Sequence, residues 1–335
     1  MSTSTSTSAM NPTVGGLHEV IFSVRDIEQA SRFYQEVVGY QLIARRESSR
    51  AQLSAWNVDE PARCQEVLLG NPGDAEGYIR LVQFEGVDQV VIRSSGQSWD
   101  PGGIFDINMR AMDLNRVFED FQKAGWNGVS DPIRYQFGDF DVSEVLMKGP
   151  EDIVIAMMER HAPTLQGYPN LKRLSHVFNS SHISKNVETT LDFFINRLGF
   201  KVYMHANSID RKAGPNVLGF PHNVNAQIQL PVYIVHPEGT NMGSLEFLQV
   251  KGLEGTDFSD RAIPPNLGIL MYRFPISDAK AYAQLLEERG VAIHISPREL
   301  VIEPYGKVSV FAVRSPEGIW IEFVEFNPPG QTSGT

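Results

Sequence analysis

The sequence of 335 residues holds a single cysteine, Cys64. One thiol excludes an internal disulfide and any cysteine-based metal cluster, and Cys64 reads as an ordinary reduced thiol. Long apolar runs are missing too. The longest are strand-sized, well short of the roughly 20 residues that a bilayer-crossing helix needs. Positive charge is also scarce. The 29 Lys and Arg against 40 Asp and Glu give a net charge of −11, and no basic patch offsets it. No membrane and no nucleic acid is therefore expected as a partner. There is no G-x-x-x-x-G-K-[ST] phosphate loop, no dinucleotide fingerprint and no G-x-S-x-G elbow. The first ten residues, MSTSTSTSAM, lack the basic and apolar segments of a secretory signal. They read as a disordered tail on a cytoplasmic protein.

What is present is an ordinary globular composition, with 42% hydrophobic and 21% charged residues. At about 150 residues per domain the length suggests two domains. An internal repeat organises them. Residues 17–43, LHEVIFSVRDIEQASRFYQEVVGYQLI, match residues 174–203, LSHVFNSSHISKNVETTLDFFINRLGFKVY. Each opens like a strand, continues as an amphipathic helix and ends in an aromatic pair before a glycine. Phe33-Tyr34 precede Gly39, and Phe193-Phe194 precede Gly199. The aromatics belong on the helix face that packs on a sheet, and the glycine stops the helix. A second repeat is interleaved, over residues 103–126 and 268–291. In it Asp113 and Asp278 are expected helix N-caps. Apolar strands such as Ser244–Val250 and Ile319–Phe326 close the repeats.

Four strand–helix–strands modules follow. The expected organisation is a disordered tail over 1–13, a first domain over 14–160, a linker over 161–173, a second domain over 174–328 and a tail over 329–335. The linker carries two prolines and a glycine, as a domain boundary does.

This βαβββ repeat resembles the vicinal oxygen chelate superfamily, which includes glyoxalase I, fosfomycin and bleomycin resistance proteins, methylmalonyl-CoA epimerase and extradiol dioxygenases. The stretches LHEVIFSVRDIEQASRFYQEVVGY, VFNSSHISKNVETTLDFFINRLGF and SPEGIWIEFVEF carry the resemblance. It implies an α+β fold in which the four modules pair into two open, glyoxalase-like β-barrel domains. It also implies a cavity in which a divalent metal is held from the first and last strands of each module. The substrate would chelate that metal through two neighbouring oxygens.

At those positions the first domain offers Glu19 with His18 beside it, then Arg80, Asp106 and Ala156. Arg and Ala cannot ligate a cation, so this domain is expected to be metal-free. The second domain offers His176, Glu246, Met271 and Glu322. An imidazole and two carboxylates suit a divalent metal, so His176, Glu246 and Glu322 are the expected ligands. The same three residues are the expected catalytic groups, with Glu246 or Glu322 as proton-transfer base. Met271 stands where a dioxygenase needs a second histidine; His182, His205 or His294 could replace it. An ungapped alignment on Phe193 puts Asn179, not His176, at the ligand position. The metal stays open among iron, zinc, manganese, nickel and cobalt, and so does a metal-free site.

The expected function is an enzyme acting on a small organic substrate with neighbouring oxygens, by isomerase, lyase or related proton-transfer chemistry. The alternatives are an extradiol-type ring-cleaving dioxygenase and a metal-free small-molecule-binding or resistance protein. Association into a homo-oligomer is left open.

Overall fold

A computed structural model describes residues 12–207 and 212–326. The expected tails at 1–13 and 329–335 lie outside these residues, apart from Pro12 and Thr13. Each module follows the repeat. The first runs β1 (Glu19–Ser23), α1 (Ile27–Phe33), β2 (Gln41–Glu47), α2 (Arg50–Ala55), β3 (Arg63–Gly70) and β4 (Tyr78–Glu85). The second runs β5 (Asp106–Arg110), α3 (Leu114–Lys123), β6 (Asn127–Gly128), β7 (Ile133–Phe137), β8 (Phe140–Lys148) and β9 (Val154–Ala162). The third runs β10 (Asn179–Ile183), α4 (Val187–Leu191), β11 (Lys201–Asn207), β12 (Pro231–His236) and β13 (Ser244–Leu248). The fourth runs β14 (Gly268–Pro275), α5 (Ala279–Glu288), β15 (Ile295–Ile302), β16 (Gly306–Arg314) and β17 (Trp320–Phe326).

The helix signals act as the residues demand. Asp113 accepts from the Arg116 amide at 3.3 Å and Asp278 from the Ala281 amide at 2.8 Å. Asp26 and Asn186 cap α1 and α4 in the same way. After α1 and α4 the chain widens into a π-helical turn, Tyr34–Val38 and Asp192–Arg197, beside the aromatic pair. Gly39 and Gly199 then take φ values of +92° and +85°, which end the helix without a Cβ clash.

The strands form two sheets. Sheet I has the order β15-β16-β17-β14-β1-β4-β3-β2, and sheet II the order β11-β12-β13-β10-β5-β9-β8-β6, with β7 on β8. The seam of sheet I is the antiparallel pair β1·β14, and that of sheet II is β10·β5. Modules one and four therefore share one sheet, and modules two and three the other. This corrects the expectation that 14–160 and 174–328 each close a barrel from consecutive modules.

One continuous apolar core joins the helices to one face of each sheet, with Phe22, Phe274 and Phe323 from sheet I and Ile107, Met157 and Phe247 from sheet II. The opposite, concave faces form two separate cups. No helix among the described residues is long and apolar enough to cross a membrane.

Candidate active site

Strand register fixes which side chains face each cup. In sheet I, Glu19 pairs with Arg273, Arg273 lies beside Glu322, and Ile21 lies beside Arg80. The matching positions in sheet II are Asn179 opposite Asn108, Asn108 beside Ala156, and Ser181 beside Glu246. The four inward positions at which the sequence resemblance implies ligands are thus Glu19, Arg80, Arg273 and Glu322 in one cup. In the other they are Asn179, Glu246, Asn108 and Ala156.

The cup of sheet I is closed by its own charges. Arg80 grips Glu19 through two nitrogens, at 2.8 and 2.9 Å, and Glu66 through a third at 3.0 Å. Arg273 reaches Glu19 at 3.0 Å and Glu322 at 2.6 Å. Arg46 adds a third guanidinium, 2.6 Å from Glu66. Burial pushes the Glu19 carboxyl up, but the Arg80 and Arg273 charges outweigh it and hold the group well below the usual carboxylate range. Trp56, at the end of α2, donates its indole N–H to Glu322 at 2.6 Å. Around it pack Leu53, Val58, Phe84, Val310 and Val324. Two guanidiniums at the inward positions would repel a divalent cation, and their charge already balances the carboxylates. A metal does not fit here.

The cup of sheet II is different. Asp106, Ser181 and Glu246 form one row across β5, β10 and β13, with neighbouring strands about 4.8 Å apart. The Asn108 amide donates to Asp106 at 3.2 Å, Asn179 at 2.9 Å and the Ser181 hydroxyl at 2.8 Å. Glu144 on β8 accepts from the Tyr135 hydroxyl. Among the described residues no hydrogen bond holds the Glu246 carboxyl. Burial, then the charges of Asp106 and Glu144, push Glu246 up to about 8. Burial pushes Asp106 up to about 7, against the hydrogen bond from Ser181. Burial also raises Glu144. Phe105, Leu146, Ile183, Phe220 and Leu248 supply an apolar wall. With one carboxylate, two amides bound to one another and an alanine, the four inward positions do not fit a metal either. Among the described residues no group of three or more His, Cys, Asp and Glu could hold an ion.

The three expected ligands lie in three places. Glu322 is neutralised in the sheet I cup, and Glu246 faces the sheet II cup. His176 lies in the segment before β10, with Nδ1 2.7 Å from Asp74 Oδ2 and Nε2 2.8 Å from the Met242 sulfur. The metal trio is therefore not assembled. Asn179 occupies the position the gapped alignment gave to His176, and Arg273 the one given to Met271. Met271 packs in the apolar cluster of the sheet I cup. His182 is buried between the sheets, its Nε2 2.8 Å from the Tyr272 hydroxyl. Sequence reasoning passed over Asn108, Arg110, Glu144 and Arg160. Strict alternation in Asp106-Ile-Asn-Met-Arg110 was the available signal, because it gives β5 one wholly polar face.

No family model matches the sequence, and no curated protein matches it. Solved structures do. Glyoxalase I from Zea mays superposes with a TM-score of 0.61 at 14% identity, covering 94% of this chain and 93% of that one. A point mutant of the same Zea mays enzyme gives 0.63, also at 14% identity, with the same coverage. A proposed dioxygenase from Bacillus subtilis gives 0.58 at 13% identity, over 94% of this chain and 86% of that one. The chain thus has a glyoxalase-like fold, built from four strand–helix–strands modules in tandem.

Proposed function

We propose that the protein is an enzyme that moves a proton on a small organic substrate with neighbouring oxygens, in the cup of sheet II, with Glu246 as base. One observation carries this reading. Glu246 is a carboxyl without hydrogen-bond partners among the described residues, in a concave face, raised to about 8 by burial and by Asp106 and Glu144. Such a group exchanges its proton near neutral pH, where general acid–base catalysis is most effective. The three carboxyls titrate as a set, so around neutrality one can hold a proton while another is charged. Glu246 takes the proton from the carbon beside the carbonyl. The working form is the one in which the set's proton sits on Asp106 and Glu246 is charged; Asp106 then donates to the carbonyl oxygen as the enol forms. Return of the proton on Glu246 to the former carbonyl carbon, while the neighbouring hydroxyl gives its own proton to the ionised Asp106, yields the isomer; departure of a group from the carbon on the far side of the enol, as the carbonyl re-forms and gives its proton back to Asp106, yields the lyase outcome. The residues do not fit a metal, and no step needs one.

The test follows solvent deuterium entering a panel of hydroxyketones and 2-oxo acids by NMR. The wild type should catalyse exchange on a member of the panel. Glu246→Gln should slow it by about 10²–10⁴-fold, the range of a lost general base. Treatment with a chelator should leave it unchanged. Exchange that survives Glu246→Gln, or no exchange on any compound, sinks the reading; a ligand bound without exchange would favour a binding protein.

A further inference from the structure

The sheet II cup also holds two arginines that form no ion pair among the described residues. Arg110 ends β5, and strand alternation sets it on the face of Asp106 and Asn108. Arg160 on β9 shares the face of Ala156 and Met158. Arg110 is 6% exposed, and its buried Nε has no hydrogen-bond partner. Its Nη1 meets the Met158 thioether at 2.7 Å, a weak acceptor. The buried Nε of Arg160 is also without a partner. Among the described residues neither forms an ion pair, whereas Arg46, Arg80 and Arg273 in the other cup all do. Burial and then the Arg110 charge lower Arg160, so each guanidinium acts on the other.

Two neighbouring cations without an ion pair, in a chain of net charge −11, are costly without an anion. A guanidinium's fork matches a carboxylate. Flat apolar surface lies beside both: Arg110 sits 4.2 Å over the Phe178 ring and 5.9 Å from that of Tyr168, and Arg160 4.0 Å over Phe140. Arg110 is close enough to act on the charges of Glu144 and Glu246. We propose that Arg110 and Arg160 clamp the carboxylate of the substrate, an organic acid with a flat apolar body, and so hold its reacting carbon toward Glu246. This rests on the cup being the proton-transfer site.

Binding without turnover tests the clamp separately. Benzoate and phenylacetate, with benzamide and phenylacetamide as neutral counterparts, are titrated by calorimetry and ligand-observed NMR. The wild type should bind the acids at least tenfold more tightly than the amides, as a charge-assisted pair implies. Arg110→Gln and Arg160→Gln should each erase that preference, Arg110→Lys should retain part of it, and Glu246→Gln should keep it. Arg110→Gln should melt no lower than the wild type, since it removes an unpaired buried cation. No preference in the wild type, no binding of either acid, a preference that survives both Gln variants, or a marked fall in melting temperature for Arg110→Gln overturns the clamp. Deuterium exchange that survives Glu246→Gln, or no exchange on any compound, with the acid preference intact, would sink only the proton-transfer reading.

Discussion

Arg273 faces the sheet I cup at an inward position, and its contacts fill that position with ion pairs. Its guanidinium bridges Glu19 and Glu322, two carboxylates from different strands, with almost no exposure. Breaking one partner out of a buried ion network leaves uncompensated charge, at a cost of about 3–5 kcal/mol. Arg273→Met should therefore lower the unfolding free energy by that amount, read as a fall in the urea midpoint at unchanged slope. Glu322→Leu added to it should recover part of the loss, since the remaining charges then come closer to balance. An unfolding free energy within about 0.5 kcal/mol of wild type for Arg273→Met would mean that the network contributes little. The inward direction of Glu322 and Glu246 was legible, because each is flanked by apolar residues on both sides in its closing strand, Trp-Ile-Glu322-Phe-Val and Ser-Leu-Glu246-Phe-Leu. The partner of Glu322 was not. Met271 and Arg273 share a strand face, so an alignment error of two residues left the face correct and the residue wrong. The gap that selected His176 over Asn179 spans three residues, and an odd shift also changes the face.

At the scale of elements, the two cups titrate in opposite directions. Strands β5, β8 and β13 bring Asp106, Glu144 and Glu246 together under one apolar wall, and all three are raised. A raised carboxyl keeps its proton in the folded state after the unfolded chain has lost it. The unfolded values are 3.8 for Asp106 and 4.5 for Glu246, against about 7 and 8 when folded. Their contribution is fully present below about pH 4 and is lost as pH rises through 8. Glu19 is lowered, so its contribution is present above about 4.5 and fades in acid. Melting temperature should therefore fall between pH 5 and pH 8, and Glu246→Gln should flatten that slope while leaving the acid limb intact. An unchanged slope in Glu246→Gln would show that other groups set it. The repeated helices and their caps were legible from apolar spacing and from the aromatic-pair-to-glycine interval. Helix α2 was not, because six residues are too few to display a period. Yet α2 delivers Trp56, the plug of the sheet I cup.

For the whole molecule, the decisive feature is which modules meet. Repeats in a sequence state how many units there are, but the residues at β1, β5, β10 and β14 look alike as apolar strand starts and do not say which edges join. Side-chain chemistry across the seams does discriminate. Glu19 meets Arg273 across β1·β14, while Asn108 meets Asn179 and Asp106 faces Ser181 across β10·β5. Pairing β1 with β5 instead would bring Glu19 near Asp106 with no arginine between them, which is unfavourable for two buried carboxylates. Cutting the chain in the 161–173 segment gives two halves, each with one seam strand from each sheet left unpaired. Separately, residues 1–165 and 166–335 should be poorly folded or self-associated, because bare strand edges seek partners. Mixed or co-expressed, they should form a 1:1 complex with the circular dichroism spectrum of the intact chain. Light scattering on each half and on the mixture decides. Two stable monomeric halves that ignore each other would mean that consecutive modules can close a barrel after all, and that the charges across the seam do not choose the pairing.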